Sequence, residues 1–416
     1  IFMVLAPLIL FYVTGRTLPF ITANPGNTGI LDVQSIPNGA QVFLDNKPVG
    51  STPATVRFIR QGWHEVRVQE KDFRPWIKKL FIQADEVTYA GTINDTIRLL
   101  PDSSAIPIAE EINITAIVGD HLILTTDSQV QVYDLGEQTV IRSANTPATI
   151  AELKPTQYRN LVFAKFTNGQ WSLLNTDGPS FTNLPAAIST SDQVELSGEG
   201  TVYGRKQNTL HIAAVGSTQS QVALEGVSGF TTHDDLIYIA TLAGTGELST
   251  YYWNNTQLVK QTVLLSSGLP QNSIVQLYLT NQKELFLQAD DSLYRVNQTL
   301  ELVKNSVLNV NFNFAGQRFT FYTPTEIYFY NFGSGQAELL ARTTNNLSAA
   351  DVLPEFGYGF IADQTGSEAI EIDSRGNQNR YQMIAAQPVS TLLVSPDETE
   401  LILLANKIVY TVTIQK

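Results

Sequence analysis

The sequence predicts an all-β protein: a short apolar leader, a small β-sandwich, and then a β-propeller, a ring of repeated antiparallel sheets. Three observations carry that prediction. Strand-like segments recur about every 39 residues over the last three quarters of the chain, close to the length of a four-stranded propeller blade. No 12-residue window keeps a helical period, so crossover helices and a parallel sheet are not expected. Charged residues make up only 16% of the 416 residues, while Thr, Asn, Gln and Ser abound, a composition that suits strands with polar, uncharged faces.

Composition also excludes some chemistry. The chain has no cysteine, which removes disulfides, thiolate metal sites and cysteine nucleophiles. The net charge of −13 is uneven: residues 29–101 carry nine basic and eight acidic side chains, whereas residues 102–416 carry 16 basic and 31 acidic ones. A polyanion would be repelled by the larger part, so nucleic acid is not an expected partner.

In chain order, Ile1–Val13 holds thirteen residues without a charge. A full membrane span needs about 20 apolar residues, so residues 1–15 read as a truncated single-pass anchor, with a signal-peptide core or a buried segment as alternatives. Either of the first two would send the rest of the chain across a membrane. Residues 16–28, rich in Pro, Gly, Thr and Asn, read as a linker.

From Gly29 to Pro101 short alternating runs are separated by turn residues. Leu31 and Val33 share a strand face, Gln41–Asp45 forms the next strand, and Asn46-Lys47 is its tight turn. Val56, Phe58, Glu65–Val68 and Ile77–Ile82 supply further strands, and Gly39, Gly50 and Gly62 fall where turns require positive φ. Spacing alone gives a compact β-sandwich. His64, lone and beside Trp63, reads as a packed, hydrogen-bonded residue.

The motifs of this stretch resemble the PEGA domain: Val33-x-Ser35-x-Pro37-x-Gly39-Ala40-x-Val42-x-Leu44-Asp45, then Gly50-x-Thr52-Pro53, then Gly62-x-His64-x-Val66. Asn38 replaces the eponymous Glu, and Asp72 precedes Phe73 where Gly is frequent; neither is a core position. The resemblance implies a bacterial or archaeal envelope protein, with this domain as a scaffold and no catalytic activity.

Across residues 102–416, second strands are expected at 121–127, 160–166, 236–242, 284–290, 318–324, 358–364 and 400–406. A less regular unit spans Gln193–Gly226. Inner strands begin near Ile114, Thr149, Gln193, Gly229, Ile274, Leu308, Ala349 and Val389. Eight blades are the preferred count, and seven if the irregular unit is not its own blade. The last unit shows three strands, and residues 104–112 could supply its fourth, closing the ring. Its Ser395-Pro396-Asp397 turn resembles the Ser-Pro-Asp-Gly turn of WD-repeat and Tol-associated propellers, with Glu398 in place of Gly.

Searches for chemistry return little. There is no Gly-x-Ser-x-Gly elbow and no His-Glu-x-x-His pair, and only four His are present. Residues 198–204 hold three Gly without dinucleotide spacing and read as a turn-rich segment, and Asn175–Gly178 as a hairpin turn. No cofactor or metal is expected. Asp127, Asp290, Asp291 and Asp363 follow second strands, so their loops would share one rim; they serve as turn caps or, on the sharper reading, as an acidic rim for a cation or basic partner. His233-Asp234-Asp235 falls in the opposite loops. The aromatic run 319–332 would pack half its rings between blades, with a sugar-stacking platform as the alternative.

The expected function is a membrane-tethered, extracytoplasmic binding or scaffold protein at the cell envelope. Its propeller would meet a protein or a cell-wall glycan. The rivals are a carboxylate hydrolase or lyase acting on envelope polysaccharide, and a self-associating surface-array subunit.

Overall fold

The computed structural model describes residues 27–415 apart from 93–95, 198–199, 234–235, 242–246, 255–256, 266–274, 281–283 and 314–317. The expected anchor, 1–15, and all but the last two residues of the linker, 16–28, lie outside the described residues. No helix among the described residues is long and apolar enough to cross a membrane.

The N-terminal unit contains β1 (Thr28–Ile36), β2 (Gln41–Leu44), β3 (Lys47–Ser51), β4 (Ala54–Arg60), β5 (Gly62–Gln69), β6 (Trp76–Ile82), β7 (Val87–Tyr89) and β8 (Thr96–Arg98). They form two four-stranded sheets, one ordered β3-β2-β5-β6 and the other β4-β1-β7 with β8 also on β1. Strand β1 is long enough to run parallel to β7 at Ile30–Asp32 and then to β8 at Gln34–Ile36. Between the sheets lie Leu31, Val33, Val42, Val66, Val68, Trp76, Leu80, Ile82 and Ile97. Alternation sets these contacts: in β6, Trp76, Lys78, Leu80 and Ile82 point inward while Ile77, Lys79 and Phe81 point out.

The β2–β3 turn sits one residue earlier than the sequence suggested. Asp45 and Asn46, with φ of 50° and 64°, make it, because both types tolerate the left-handed conformation that a two-residue hairpin requires. Gly39, Gly50 and Gly62 all have positive φ, as expected.

Among the described residues, strand β9 (Ile106–Ala109) leads into eight four-stranded antiparallel meanders, which span 114–145, 150–183, 193–225, 227–265, 275–304, 309–342, 347–385 and 389–413. The eighth has three strands of its own and takes β9 as its fourth: Val409, Tyr410 and Thr411 of β40 (Ile408–Thr413) pair with Ala109, Pro107 and Ile106. Residues 104–112 thus supply the fourth strand expected for the last unit.

Apolar clusters join each sheet to the next. Ile123 and Val132 of the first meet Val162 and Leu174 of the second, and Phe163 and Trp171 of the second meet Val194 and Val202 of the third. Tyr203 and Ile212 meet Phe230 and Ile239, and Leu248 meets Leu277 and Leu287. Phe286 meets Phe319 and Phe321, Ile327 and Phe329 meet Val352 and Ile361, and Phe360 meets Leu401 and Leu403. Leu122, Leu124 and Tyr133 of the first sheet in turn pack on Ile402, Leu404 and Val409 of the eighth. The chain thus buries its apolar strand faces by stacking sheets in a propeller arrangement.

The irregular third unit differs from expectation. Its second strand is β19 (Thr201–Lys206), which overlaps the segment 198–204 that reads as turns, and Thr209–Ala214 is the third strand. Gly204 lies within β19 because a side chain there would collide with Ser191 Oγ and Ile188, beside the one-turn helix α1 (Ala186–Ser189). The glycine is a packing requirement of a strand. The aromatic run 319–332 resolves as core: Phe319 stacks on Phe286 at 4.3 Å, Phe319 and Phe321 are buried on one side of their sheet, and Tyr322 and Phe329 enter the cluster with the seventh sheet.

Candidate interaction site

An antiparallel meander has two ends. Turns joining its first to second and third to fourth strands lie at one end, and turns joining its second to third strands lie at the other. Asp127, Asp290, Asp291 and Asp363 all belong to the second-to-third connections, so they share the latter end. They are spread over the first, fifth and seventh sheets, and only Asp290 and Asp291 are neighbours.

Each has local work. Asp127 accepts from Asn113 Nδ2 at 2.7 Å, Asp291 from Ser292 Oγ at 3.2 Å, and Asp290 carries φ 52° in its two-residue turn. Asp363 accepts from Thr365 N and Oγ1 at 2.6 Å and from Asn345 Nδ2 at 3.0 Å. Burial pushes that carboxyl up, but these donors outweigh it and hold it below the ordinary aspartate value. Among the described residues no group of three or more His, Asp or Glu side chains could hold a metal ion. Asp234 and Asp235 lie outside the described residues. His64 is hydrogen-bonded as expected, through Nδ1 to Asp45 Oδ2 at 2.7 Å and Nε2 to Arg60 O at 2.8 Å.

The most elaborate polar site lies at the opposite end, where the sandwich meets the seventh sheet, and the sequence did not announce it. The open side of the sandwich between β6 and β7 is filled by the connection from β36 (Gly366–Glu371) to β37 (Arg380–Ala385). Lys78, on the inward face of β6 and with a fully buried side chain, lies 3.0 Å from Glu371 Oε2 and 2.9 Å from Asp373 Oδ2, and donates to Asp373 O at 2.7 Å. Trp76 Nε1 donates to Glu371 Oε1 at 2.7 Å, and Asn379 Nδ2 to Glu371 Oε2 at 2.8 Å. Arg375 grips Asp373 and donates to Tyr89 O and Ala90 O at 2.9 and 2.8 Å. Two cations thus balance two carboxylates, with further donors on the remaining lone pairs, the condition for burying charge without a large penalty. Burial raises the Asp373 carboxyl, but bonds from Arg375 and Lys78 win and lower it overall.

Backbone contact seals the seam. A side chain at Gly376 would come within 2.8 Å of Lys79 O, so glycine permits the approach. Arg74 Nη1 donates to Gln382 O at 2.7 Å, Tyr381 Oη to Pro75 O at 3.1 Å, and Tyr358 Oη to Arg98 O at 3.1 Å. Leu100, just past the sandwich, is buried with Leu353, Tyr358 and Val412 between the seventh and eighth sheets. A cleft of about 30 Å³ remains beside Trp76, Arg98, Phe356 and Tyr358. It has room for a water or two and too little for a sugar ring.

At this same end, Arg318 of the sixth sheet donates from Nη1 to Glu398 of the eighth at 2.7 Å and lies 3.6 Å from Asp351 of the seventh. One guanidinium therefore ties three sheets together. Burial pushes the Asp351 carboxyl up, partly offset by Arg318.

Comparison with known proteins agrees with this architecture. Residues 28–95 match the family described as the PEGA domain. No curated protein matches the chain by sequence. The C-terminal WD40 domain of Sif2 is similar in structure with a TM-score of 0.55 at 13% identity, over 75% of this chain and 99% of that one. The computationally designed Ika8 protein gives 0.51 at 13% identity, over 75% and 98%. BamB from Moraxella catarrhalis gives 0.50 at 13% identity, again over 75% and 98%. At such identities the likeness is one of fold alone, a β-propeller.

Proposed function

We propose that this chain is a membrane-tethered, extracytoplasmic scaffold whose eight-bladed propeller presents one face to a protein or glycan partner at the cell envelope. The observation that carries the reading is the opposition of the two ends. The PEGA domain occupies the end that holds the 371–380 connection of the seventh sheet, while the turns with Asp127, Asp290, Asp291 and Asp363 lie at the opposite end. A ligand approaching from beyond the membrane would meet that far end first.

Eight four-stranded sheets, each packed on the next and the eighth on the first, support the blade count. Tethering rests on the apolar stretch Ile1–Val13. The rigid seam favours a scaffold, because a domain locked to its spacer holds its binding face at a fixed height and angle.

Crosslinking in the native envelope followed by mass spectrometry tests the proposal. One partner recovered reproducibly at residues near Asp127, Asp290 and Asp363 is the expected result. Crosslinks confined to the PEGA domain would contradict it.

A further inference from the structure

We propose that the end of the PEGA domain bearing Trp63 and Phe81 is a contact surface for a phospholipid bilayer; this rests on the tethered reading above. Among the described residues, the exposed Trp and Phe side chains are Phe58, Trp63 and Phe81, at 42%, 66% and 41% exposure, and all three lie at this one end. Trp63 and Phe81 face each other across β5 and β6, with ring centroids 5.4 Å apart, edge to face, so the pair is formed in advance. Val87, 45% exposed, adds to the same end from the other sheet, opposite Ile30.

The place where the chain enters ties this surface to a membrane. Gln61 N donates to Asn27 O at 3.0 Å and Thr28 pairs with Arg60, so the first described residues lie against the turn that precedes Trp63. The stretch 14–26 can extend at most about 45 Å. A tether at Ile1–Val13 therefore keeps the aromatic end within tens of ångströms of the bilayer, where a weak contact suffices because its effective concentration is high.

The chemistry fits the headgroup region. Tryptophan and other amphipathic rings settle at the bilayer–water interface. Around them Arg60, Gln61, Asp85 and Glu86 are exposed, with a net charge of only −1. The propeller, with 31 acidic against 16 basic residues, would be pushed from an anionic surface, which leaves this end facing it.

The test uses the full chain in vesicles of phosphatidylethanolamine and phosphatidylglycerol whose acyl chains are brominated. Trp76 and Trp171 are buried and Trp253 is half-buried, so Trp63 is the tryptophan most open to quenching. We expect the bromine to remove most of the Trp63 emission, and the lipid-dependent loss to disappear in Trp63→Phe, whose melting temperature should match the parent because the side chain is exposed. Retention after an alkaline wash is scored separately on the same vesicles. A retained chain with equal emission in brominated and plain lipid overturns the inference and leaves the tether standing. A chain that washes off fails the tether; added free to the same vesicles, it upholds the contact if Trp63 is quenched and overturns it if not. Trp63 shielded from acrylamide without lipid also overturns it: shielding at all concentrations means the surface is covered by its own chain, and concentration-dependent shielding means a second copy.

Discussion

Glu398 adopts φ 59°, a left-handed conformation in which a residue with a Cβ is strained by about 1–2 kcal/mol. It stands where glycine would relieve that strain, and its carboxylate reaches Arg318 instead. The two effects oppose each other. Glu398→Gly should therefore shift unfolding stability by less than about 1 kcal/mol, while Glu398→Ala, which keeps the strain and loses the pair, should be about 1 kcal/mol less stable than the glycine variant in urea. Lys78 is a stronger case. Lys78→Met leaves Glu371 and Asp373 buried with fewer donors and should cost about 3 kcal/mol in the same measurement. A loss under about 1 kcal/mol would mean that Arg375, Trp76 and Asn379 already satisfy both carboxylates.

At the scale of elements, the eighth sheet depends on β9 for its fourth strand. Replacing Ile106–Ala109 by Gly and Ser should bare the edge of β40 and lower the melting temperature by several degrees, with hydrogen exchange rising first at Val409–Thr411. Unchanged protection there would show that β9 is dispensable. This strand, like the starts of the inner strands, was legible in the sequence because a period of two bounded by turn residues survives in any all-β chain. The third unit was not, since Gly204 reads locally as a turn and only its packing against Ile188 shows otherwise. The seam hid for a different reason: Lys78 and Glu371 are far apart in sequence and each is ordinary in its own stretch. One signal was present in Trp76-Ile77-Lys78-Lys79-Leu80-Phe81-Ile82, where strand alternation puts Lys78 on the apolar face, and a lysine there demands a buried partner. The rim aspartates were placed by strand order alone, which gives their end of the ring but not what they meet.

Across the whole molecule, acid should loosen the fold. Asp363, Asp373 and Asp397 are held below the ordinary aspartate value, and Glu326, bonded by Lys304, Arg342 and Tyr328, is pulled down to about 2. Groups lowered in the folded state stabilise it fully above their unfolded values and lose that contribution as pH falls through the folded ones. Asp351, raised by burial, acts in the opposite sense: its contribution is full at low pH and fades as pH rises through its folded value. Asp45 and Glu247 are lowered as well and Glu400 is raised, so with six lowered carboxyls against two raised ones the urea midpoint should fall between pH 6 and pH 3; a rise would show that Asp351 and Glu400 dominate. Across the Lys78–Glu371–Asp373–Arg375 seam, the PEGA domain and the propeller should move as one body. The chain has no cysteine, so a single pair of introduced cysteines, at Lys47 and Glu137, gives clean spin-label sites on the two domains. Pulsed electron–electron distance measurement between them should return one narrow distribution that broadens in Lys78→Met. A broad distribution in the otherwise unaltered chain would show that the two domains move independently.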